Sequence, residues 1–465
     1  MTRRTLIGVA AALTGILAPA PALASTGQYT FFEAPREMGS DDTVLRQSAL
    51  DEIAGFGVKQ QRVLLNWNVA LRQPNRRTKP ADLAERDPNS AGYNWTRYDA
   101  IIAEAEQRGI RIMFTITGAS PRWANGGKRA KSYKPSAKAY GRFVEAVGLR
   151  YGARVSQWSV WNEPNQPQFL NPQFVKGKPY SPKLYRGLYR AAVAGLEASG
   201  NGDDTILAGE TSPRGNDNIV SPLAFLRGFF RGAKIRVDGY AHHPYTTKAG
   251  PFFVPRNPDD VTIGVLSRLT KALDRSSKHK RLGVYLTEFG TQSKPDPFIG
   301  VSLQQQQEFR AIAERIAFNN PRVKAFSQYL LRDDAPRTGV PKTSRYSGFE
   351  SGLRTSSGKE KPAYAGFRTP LVLDRYKARR LRVWSMVRTA IGIPSPVKIQ
   401  YRMKRGRGSR TWKTFVEGTT DAGGYLRRSN LRYKAYREYR VVWTTTDGRT
   451  FRGPVTRVYR APGRP

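Results

Sequence analysis

Residues 158–165 read Trp158-Ser159-Val160-Trp161-Asn162-Glu163-Pro164-Asn165, and the fold of the chain turns on them. Residues 155–161 are rich in β-branched and aromatic side chains, which suit a strand. Pro164 cannot donate to a β-ladder, so the strand ends there. Glu163 is thereby set at the carboxyl end of a strand, with Asn162 beside it. A second segment has the same design: Val284-Tyr285-Leu286-Thr287-Glu288-Phe289-Gly290 is an apolar run that delivers Glu288 at its end, and Gly290 interrupts it. One such carboxylate alone could equally be a helix cap or a solvated loop acid. A matched pair at the ends of two strands calls for a fold that brings strand ends together.

Working outward, strand and helix patterns alternate. Strands are predicted at residues 29–33, 58–67, 110–117, 155–161, 205–209, 237–242, 282–287 and 323–331. Helices fall between them, opened by Ser40, Asn94, Ser136, Ser181-Pro182, Ser221-Pro222 and the capping box Ser302/Gln305. Tyr140, Phe143, Val144, Val147 and Tyr151 recur at helical spacing on one face. Eight strand–helix repeats with no long antiparallel run give an α/β chain folded as a closed (β/α)8 barrel. A doubly wound open sheet is disfavoured, because no glycine-rich phosphate loop follows the first strand. In such a barrel the carboxyl rim carries the chemistry. The motif residues lie at the ends of the fourth and seventh strands.

Near residue 370 the pattern changes. Short alternating strands are predicted at 381–387, 397–403, 412–416, 436–444 and 455–459, punctuated by Asp421-Ala422-Gly423-Gly424 and Asp447-Gly448. A small all-β sandwich over 371–465, similar in pattern to fibronectin-like or immunoglobulin-like appendages, follows a catalytic-type barrel over 25–370.

Cleavage of a glycosidic bond needs one protonated carboxyl to release the leaving oxygen and one ionised carboxylate to attack the anomeric carbon. With Trp-Asn-Glu-Pro-Asn ending the fourth strand and Thr-Glu-Phe-Gly ending the seventh, residues 29–370 resemble the clan of retaining (β/α)8 glycoside hydrolases. The resemblance implies that Glu163 is the acid/base, Asn162 a sugar-hydroxyl contact and Glu288 the nucleophile. It also implies that Arg62 of the second strand sits near the nucleophile. His243 and Tyr245 of His242-His243-Pro244-Tyr245 fit a His-x-Tyr pattern whose tyrosine donates to the nucleophile, while His242 reads as a core histidine. In Ser120-Pro121-Arg122-Trp123 the tryptophan matches one that lines a sugar subsite, and aromatic faces suit pyranosides. Trp67, Trp161, Phe252 and Phe253 are further aromatic candidates. The eighth strand departs from the pattern: it reads Phe326-Ser327-Gln328-Tyr329, so Gln328 or Tyr329 is expected where relatives place a tryptophan. Residues 161–170 look most like the xylosidase/iduronidase-type families, although cellulase-type families share the skeleton. No metal or other cofactor is expected, since the histidines are three, the cysteines none, and no zinc spacing occurs.

Residues 1–24 read as a secretory signal: Arg3 and Arg4, an apolar stretch over 6–17, and Ala22-Leu23-Ala24 as the cleavage site. The start also resembles a twin-arginine signal. No later stretch is long and apolar enough to span a bilayer, and a secreted or cell-wall-associated monomer is expected. The formal net charge is +42, and from Leu371 onward 24 Lys/Arg face five Asp/Glu, nearly half of the excess. Such a domain is either a solvated basic surface or a means of retention on an anionic cell-wall polymer. Nucleic acid is not expected as a partner of an exported chain. The reading from sequence is a secreted glycosidase acting on a β-linked carbohydrate. The alternatives are transglycosylation through the same intermediate and a non-catalytic polymer binder on a degenerate barrel.

Overall fold

The structure, a computed structural model, describes residues 27–128, 131–232, 234–275 and 281–460. The expected signal at 1–24 lies outside the described residues. Eight strands form the first part: β1 (Tyr29–Glu33), β2 (Gln60–Asn66), β3 (Arg111–Thr117), β4 (Gln157–Val160), β5 (Thr205–Thr211), β6 (Gly239–His242), β7 (Gly283–Leu286) and β8 (Val323–Tyr329). They close in sequence order, β8 returning to β1, and every neighbouring pair is parallel. This is the expected (β/α)8 barrel.

The major helices that follow the strands are α1 (Thr43–Gly55), α2 (Thr96–Glu106), α3 (Ala137–Tyr151), α4 (Ser181–Ala198), α5 (Pro222–Phe230), α6 (Leu266–Asp274), α7 (Leu303–Phe318) and α8 (Pro362–Arg368). Ser136 caps α3, and Ser302 with Gln305 forms both bonds of the capping box of α7. The cap of α1 is Asp42, which accepts from Val44 and Leu45, while the expected Ser40 instead accepts from the amide of Asp42. The packing of α3 against α4 depends on small residues. A Cβ at Gly195 would sit 2.5 Å from the carbonyl of Gly141.

Strand residues alternate between two environments. Phe31, Met113, Leu207, Ala241 and Ala325 fill the barrel interior. Trp158, Tyr240, Val284 and Phe326 face the helix layer. Above the interior apolar layer, toward the carboxyl rim, the inward positions turn polar, and the candidate site begins there.

The second part is a sandwich of two four-stranded sheets. Its strands are β9 (Leu371–Lys377), β10 (Arg380–Met386), β11 (Pro396–Met403), β12 (Lys413–Thr419), β13 (Tyr425–Arg432), β14 (Arg437–Thr444), β15 (Thr450–Arg452) and β16 (Val458–Arg460). The sheet orders are β13-β10-β9-β16 and β12-β11-β14-β15. Leu373, Val383, Ile399, Val441 and Trp443 lie in the core between them. Two long strands, β9 and β13, were not expected: β13 carries Arg427, Arg428 and Arg432, and its outward charges mask the alternation.

The sandwich is docked on α7 and α8. Arg388, with no exposed surface, donates to Phe367 O at 3.0 Å, to both carboxylate oxygens of Glu314 at 2.7 and 2.9 Å, and to Thr30. Arg315 pairs with Asp374 at 2.9 Å, and the rings of Phe318, Trp384 and Tyr425 pack together.

Candidate active site

Arg62 organises the rim. Its side chain is wholly buried, and each nitrogen is used. Nε donates to Thr115 Oγ1 at 2.9 Å, Nη1 to Glu33 at 2.5 Å and Glu288 at 2.7 Å, and Nη2 to Asn162 Oδ1 at 2.7 Å and Glu210 at 3.1 Å. One guanidinium of β2 thus ties β1, β3 and β5 to the segments that follow β4 and β7. A planar fork with five donors suits that task and an ammonium would not.

His243 is the second cation. One ring nitrogen, Nδ1, lies 2.9 Å from Glu163 Oε1 and 3.5 Å from Glu288 Oε2; the other, Nε2, lies 2.6 Å from Glu210 Oε2. Burial alone would lower its pKa, but Glu288, Glu163 and Glu210 together raise it to about 10. His243 is therefore an imidazolium with both nitrogens donating. Its neighbour His242 faces the opposite way, with Nδ1 at Thr211 Oγ1 and Nε2 at Val261 O, and burial drives its pKa down to about 3. It is the core histidine the sequence suggested.

Four carboxylates surround these two cations, and their environments differ. Burial pushes Glu163 up, against the pull of the His243 imidazolium. Burial also raises Glu33, to about 8, although Arg62 opposes it. Glu210 is as deeply buried, yet Arg62, His243 and hydroxyl donors outweigh that burial and hold it down at about 2. It accepts from Ser159 Oγ and from Thr287 Oγ1 at 2.7 Å. Glu288 accepts from Arg62 on Oε1 and from the Tyr245 hydroxyl on Oε2 at 3.0 Å. Two buried cations facing four acids, two of them held toward the neutral form, leave the site close to electroneutral.

Glu163 and Glu288 keep 12% and 11% of their side chains open to solvent, while Glu33 and Glu210 are sealed. Oxygens of Glu163 and Glu288 and a ring nitrogen of His243 lie within 4.8 Å of one another. A cation could bridge donors at that spacing. The imidazolium, however, has no lone pair to offer, so a metal would first have to displace its proton.

Of the residues expected here, Asn162, Glu163, Arg62, His243, Tyr245 and Glu288 come together. Tyr329 stands at the wall, its ring edge-on to Tyr245 at 6.2 Å. Gln328 does not reach the cleft. Its carbonyl accepts from Arg310 of α7, and its amide donates to the carbonyls of Tyr329, Leu330 and Ser351. Strand alternation decides this: Ala325, Ser327 and Tyr329 face inward, so Phe326 and Gln328 face the helices. Trp123 lies to the side of the cleft, edge-on to Trp67 at 6.0 Å, in an open recess formed by the β3–α3 loop. Trp67 and Trp161 are core, and Phe252 packs on Tyr459 of the sandwich. Glu33, Glu210, Thr115, Ser159 and Thr287 were not anticipated.

Fold and site define a (β/α)8 barrel with two solvent-reaching carboxylates facing one another across its carboxyl mouth. The chain is similar to the endo-1,4-beta-xylanase XylE of Penicillium canescens, at 15% identity, with 74% of this chain and 93% of that one covered and a TM-score of 0.46. It is similar to a beta-glucosidase of Thermotoga maritima solved with deoxynojirimycin, at 15% identity, 69% and 84% coverage and a TM-score of 0.47. A structure described simply as a glycoside hydrolase aligns over 90% of this chain and 92% of its own, at 11% identity and a TM-score of 0.47. No protein-family model and no curated protein matches the sequence. Likeness of this degree says nothing of reaction or substrate, which have to be read from the site itself.

Proposed function

We propose that the chain is a glycoside hydrolase that cleaves β-linked carbohydrate with retention of configuration, Glu288 acting as nucleophile and Glu163 as acid/base. The observation that carries this reading is the spacing of the two carboxyl groups, whose oxygens approach within 4.8 Å. Retaining enzymes keep the pair about 5–5.5 Å apart, whereas inverting enzymes need about 6.5–9.5 Å to admit a water.

The surroundings suit those roles. Burial favours the protonated form of Glu163, the form that serves the leaving oxygen. As the proton leaves, the new carboxylate is met at once by the His243 imidazolium at 2.9 Å. Among the described residues Oε2 of Glu163 meets only the Gln166 amide, at 3.2 Å, and is the oxygen free to work. Glu288 is oriented by Arg62 and Tyr245 and attacks the anomeric carbon to give a glycosyl ester. Water, deprotonated by Glu163, then releases the sugar.

Residues 1–24 support export, on sequence alone, and the enzyme is read as a monomer. Among the described residues no helix is long and apolar enough to cross a membrane. The basic sandwich supports retention on an anionic wall polymer: the ring of Trp412 is held between Arg402 at 4.5 Å and Arg440 at 4.2 Å. A second reading, a polymer binder without activity, rests on the same surface and has no use for two opposed rim carboxylates.

The deciding experiment is proton NMR of the first-formed sugar from an activated aryl β-glycoside. Retention is expected, with turnover abolished in Glu288→Ala. Inversion, or unchanged turnover in that variant, would overturn the reading.

A further inference from the structure

We infer that the recess on the β3 side of the barrel mouth is a leaving-group subsite for an acidic sugar, one bearing a carboxylate or a sulfate ester. The inference rests on the hydrolase reading, because it uses Glu163 to say which side of the cleft receives the leaving group.

The recess has a volume of about 570 Å³, within the ordinary range of ligand sites, and is lined by Arg77, Arg122, Trp123, Gly126, Gly127 and Lys128. Its frame is fixed. The amide of Arg122 donates to Pro74 O at 2.9 Å, hooking the one-turn helix Arg122–Asn125 to the loop that carries Arg77. Arg122 Nε donates to Gly127 O at 3.0 Å, which sets the guanidinium in place. Gly126 and Gly127 both have positive φ, and a Cβ on either would meet nothing within 4 Å. Bare backbone therefore opens onto the empty space a ligand would fill.

Charge makes the recess selective. Many arginines of the barrel are answered by carboxylates, as in Arg46–Glu104, Arg108–Asp51, Arg150–Asp99 and Arg154–Glu106. Among the described residues no carboxylate pairs with Arg77, Arg122 or Lys128. Three cations of one sign beside a half-buried indole form an incomplete site, since an anion would relieve their mutual repulsion. Guanidinium matches carboxylate and sulfate oxygens in bidentate fashion, and the indole offers its face to a pyranose ring.

Position ties the recess to the reaction. The loop is laced to the segment that follows Glu163: Lys134 N donates to Asn171 O at 2.8 Å, Asn171 N to Ser132 O at 2.7 Å, and the Asn171 amide to Ser132 Oγ at 3.1 Å. Glu288, at the end of β7, lies across the barrel from β3. The acid must reach the leaving oxygen, so the leaving group lies over the β3 and β4 loops, where the recess is.

The test is calorimetric binding of three hexasaccharides to the full chain at physiological salt: oligogalacturonate for the carboxylate, a heparin fragment for the sulfate, and xylohexaose as the neutral control. Arg77→Ala/Arg122→Ala/Lys128→Ala is compared with the charge-matched Arg231→Ala/Lys234→Ala/Arg275→Ala, whose exposed cations sit at the far ends of α5 and α6. The recess variant should lose at least about tenfold in affinity for one or both anionic hexamers, and the matched variant less than about twofold. Equal losses in the two variants, no loss in either, or wild-type preference for xylohexaose would overturn the subsite. Turnover of small aryl glycosides by the wild type, whose leaving group is no acidic sugar, reports separately on the hydrolase reading.

Discussion

The ring nitrogen Nε2 of His243 lies 2.6 Å from Oε2 of Glu210, and neither side chain has any exposed surface. This contact sets the charge of the site. A buried histidine left alone would be neutral, as His242 next to it is, with its pKa down at about 3. Glu210, together with Glu163 and Glu288, overrides the same burial. Two adjacent histidines thus carry opposite protonation states because successive residues at the end of β6 face opposite sides.

Glu210→Gln should therefore act through His243 rather than on substrate directly. Without the full charge of Glu210, His243 is less readily protonated, and the Glu163 anion formed after proton donation loses part of its counter-charge. The expected result is a fall in kcat of about 100-fold, with KM little changed. The alkaline limb of the pH–rate profile should also move to higher pH, because Glu163 is then harder to ionise. A fall in rate with no movement of that limb would mean that Glu210 is only a packing support.

Tyr245→Phe isolates a single hydrogen bond. The hydroxyl donates to Glu288 Oε2 at 3.0 Å, while the ring stacks on Phe289 at 6.3 Å, so the ring can stay when the hydroxyl goes. Loss of this donor should lower kcat by about 10- to 100-fold without changing the melting temperature by more than a degree or two. A variant as active as the wild type would remove Tyr245 from the site.

The barrel was legible because its signals are redundant. Each strand is an apolar run closed by a turn residue, and helix faces such as Tyr140, Phe143, Val144 and Tyr151 recur at helical spacing. Of the six expected residues that come together, Asn162, Glu163, His243, Tyr245 and Glu288 follow strands within three residues, whereas Arg62 lies inside β2. Glu33 was overlooked although it ends β1 with the same inward parity as Phe31. Glu210 was hidden by a β-bulge. Counting from the inward Leu207, it should face the helices, but the register with β6 shifts between Gly209 and Thr211, and Glu210 takes φ 49° and turns into the barrel. No single-sequence pattern reports a bulge, although Gly209 before an acid was a hint. Gln328 shows the opposite case: parity alone would have chosen Tyr329 over it.

Stability should peak at mildly acidic pH. Glu210 has a folded pKa lowered to about 2, so its contribution is complete above the ordinary carboxylate pKa of about 4.5 and is lost as the pH falls toward 2. His243, raised to about 10, contributes fully below its unfolded value of about 6.5, and that contribution fades as the pH rises through 10. Glu33, raised to about 8, behaves in the same sense: what it contributes below about 4.5 is lost on the way up through 8. A melting-temperature scan should therefore show a maximum near pH 4.5, with Glu33→Gln flattening the slope between about pH 4.5 and 8. A maximum above pH 8 would contradict these assignments.

Arg388 holds the sandwich to the barrel, and its removal should be costly. The guanidinium is unexposed and faces Phe367 at 4.1 Å while pairing with both oxygens of Glu314. Truncation leaves a cavity at the junction and takes one of two arginines from Glu314, Arg310 being the other at 2.7 Å. Arg388→Ala should lower stability by about 3–5 kcal/mol, the usual cost of breaking a buried ion pair. Arg388→Met/Glu314→Gln should recover part of that loss, since it refills the cavity and removes the charge left behind. Denaturant unfolding measures the recovery. If the double variant is no more stable than Arg388→Ala, neither the cavity nor the stranded charge is the source of the cost, and the hydrogen bonds of the guanidinium to Phe367 O and Thr30 carry the junction.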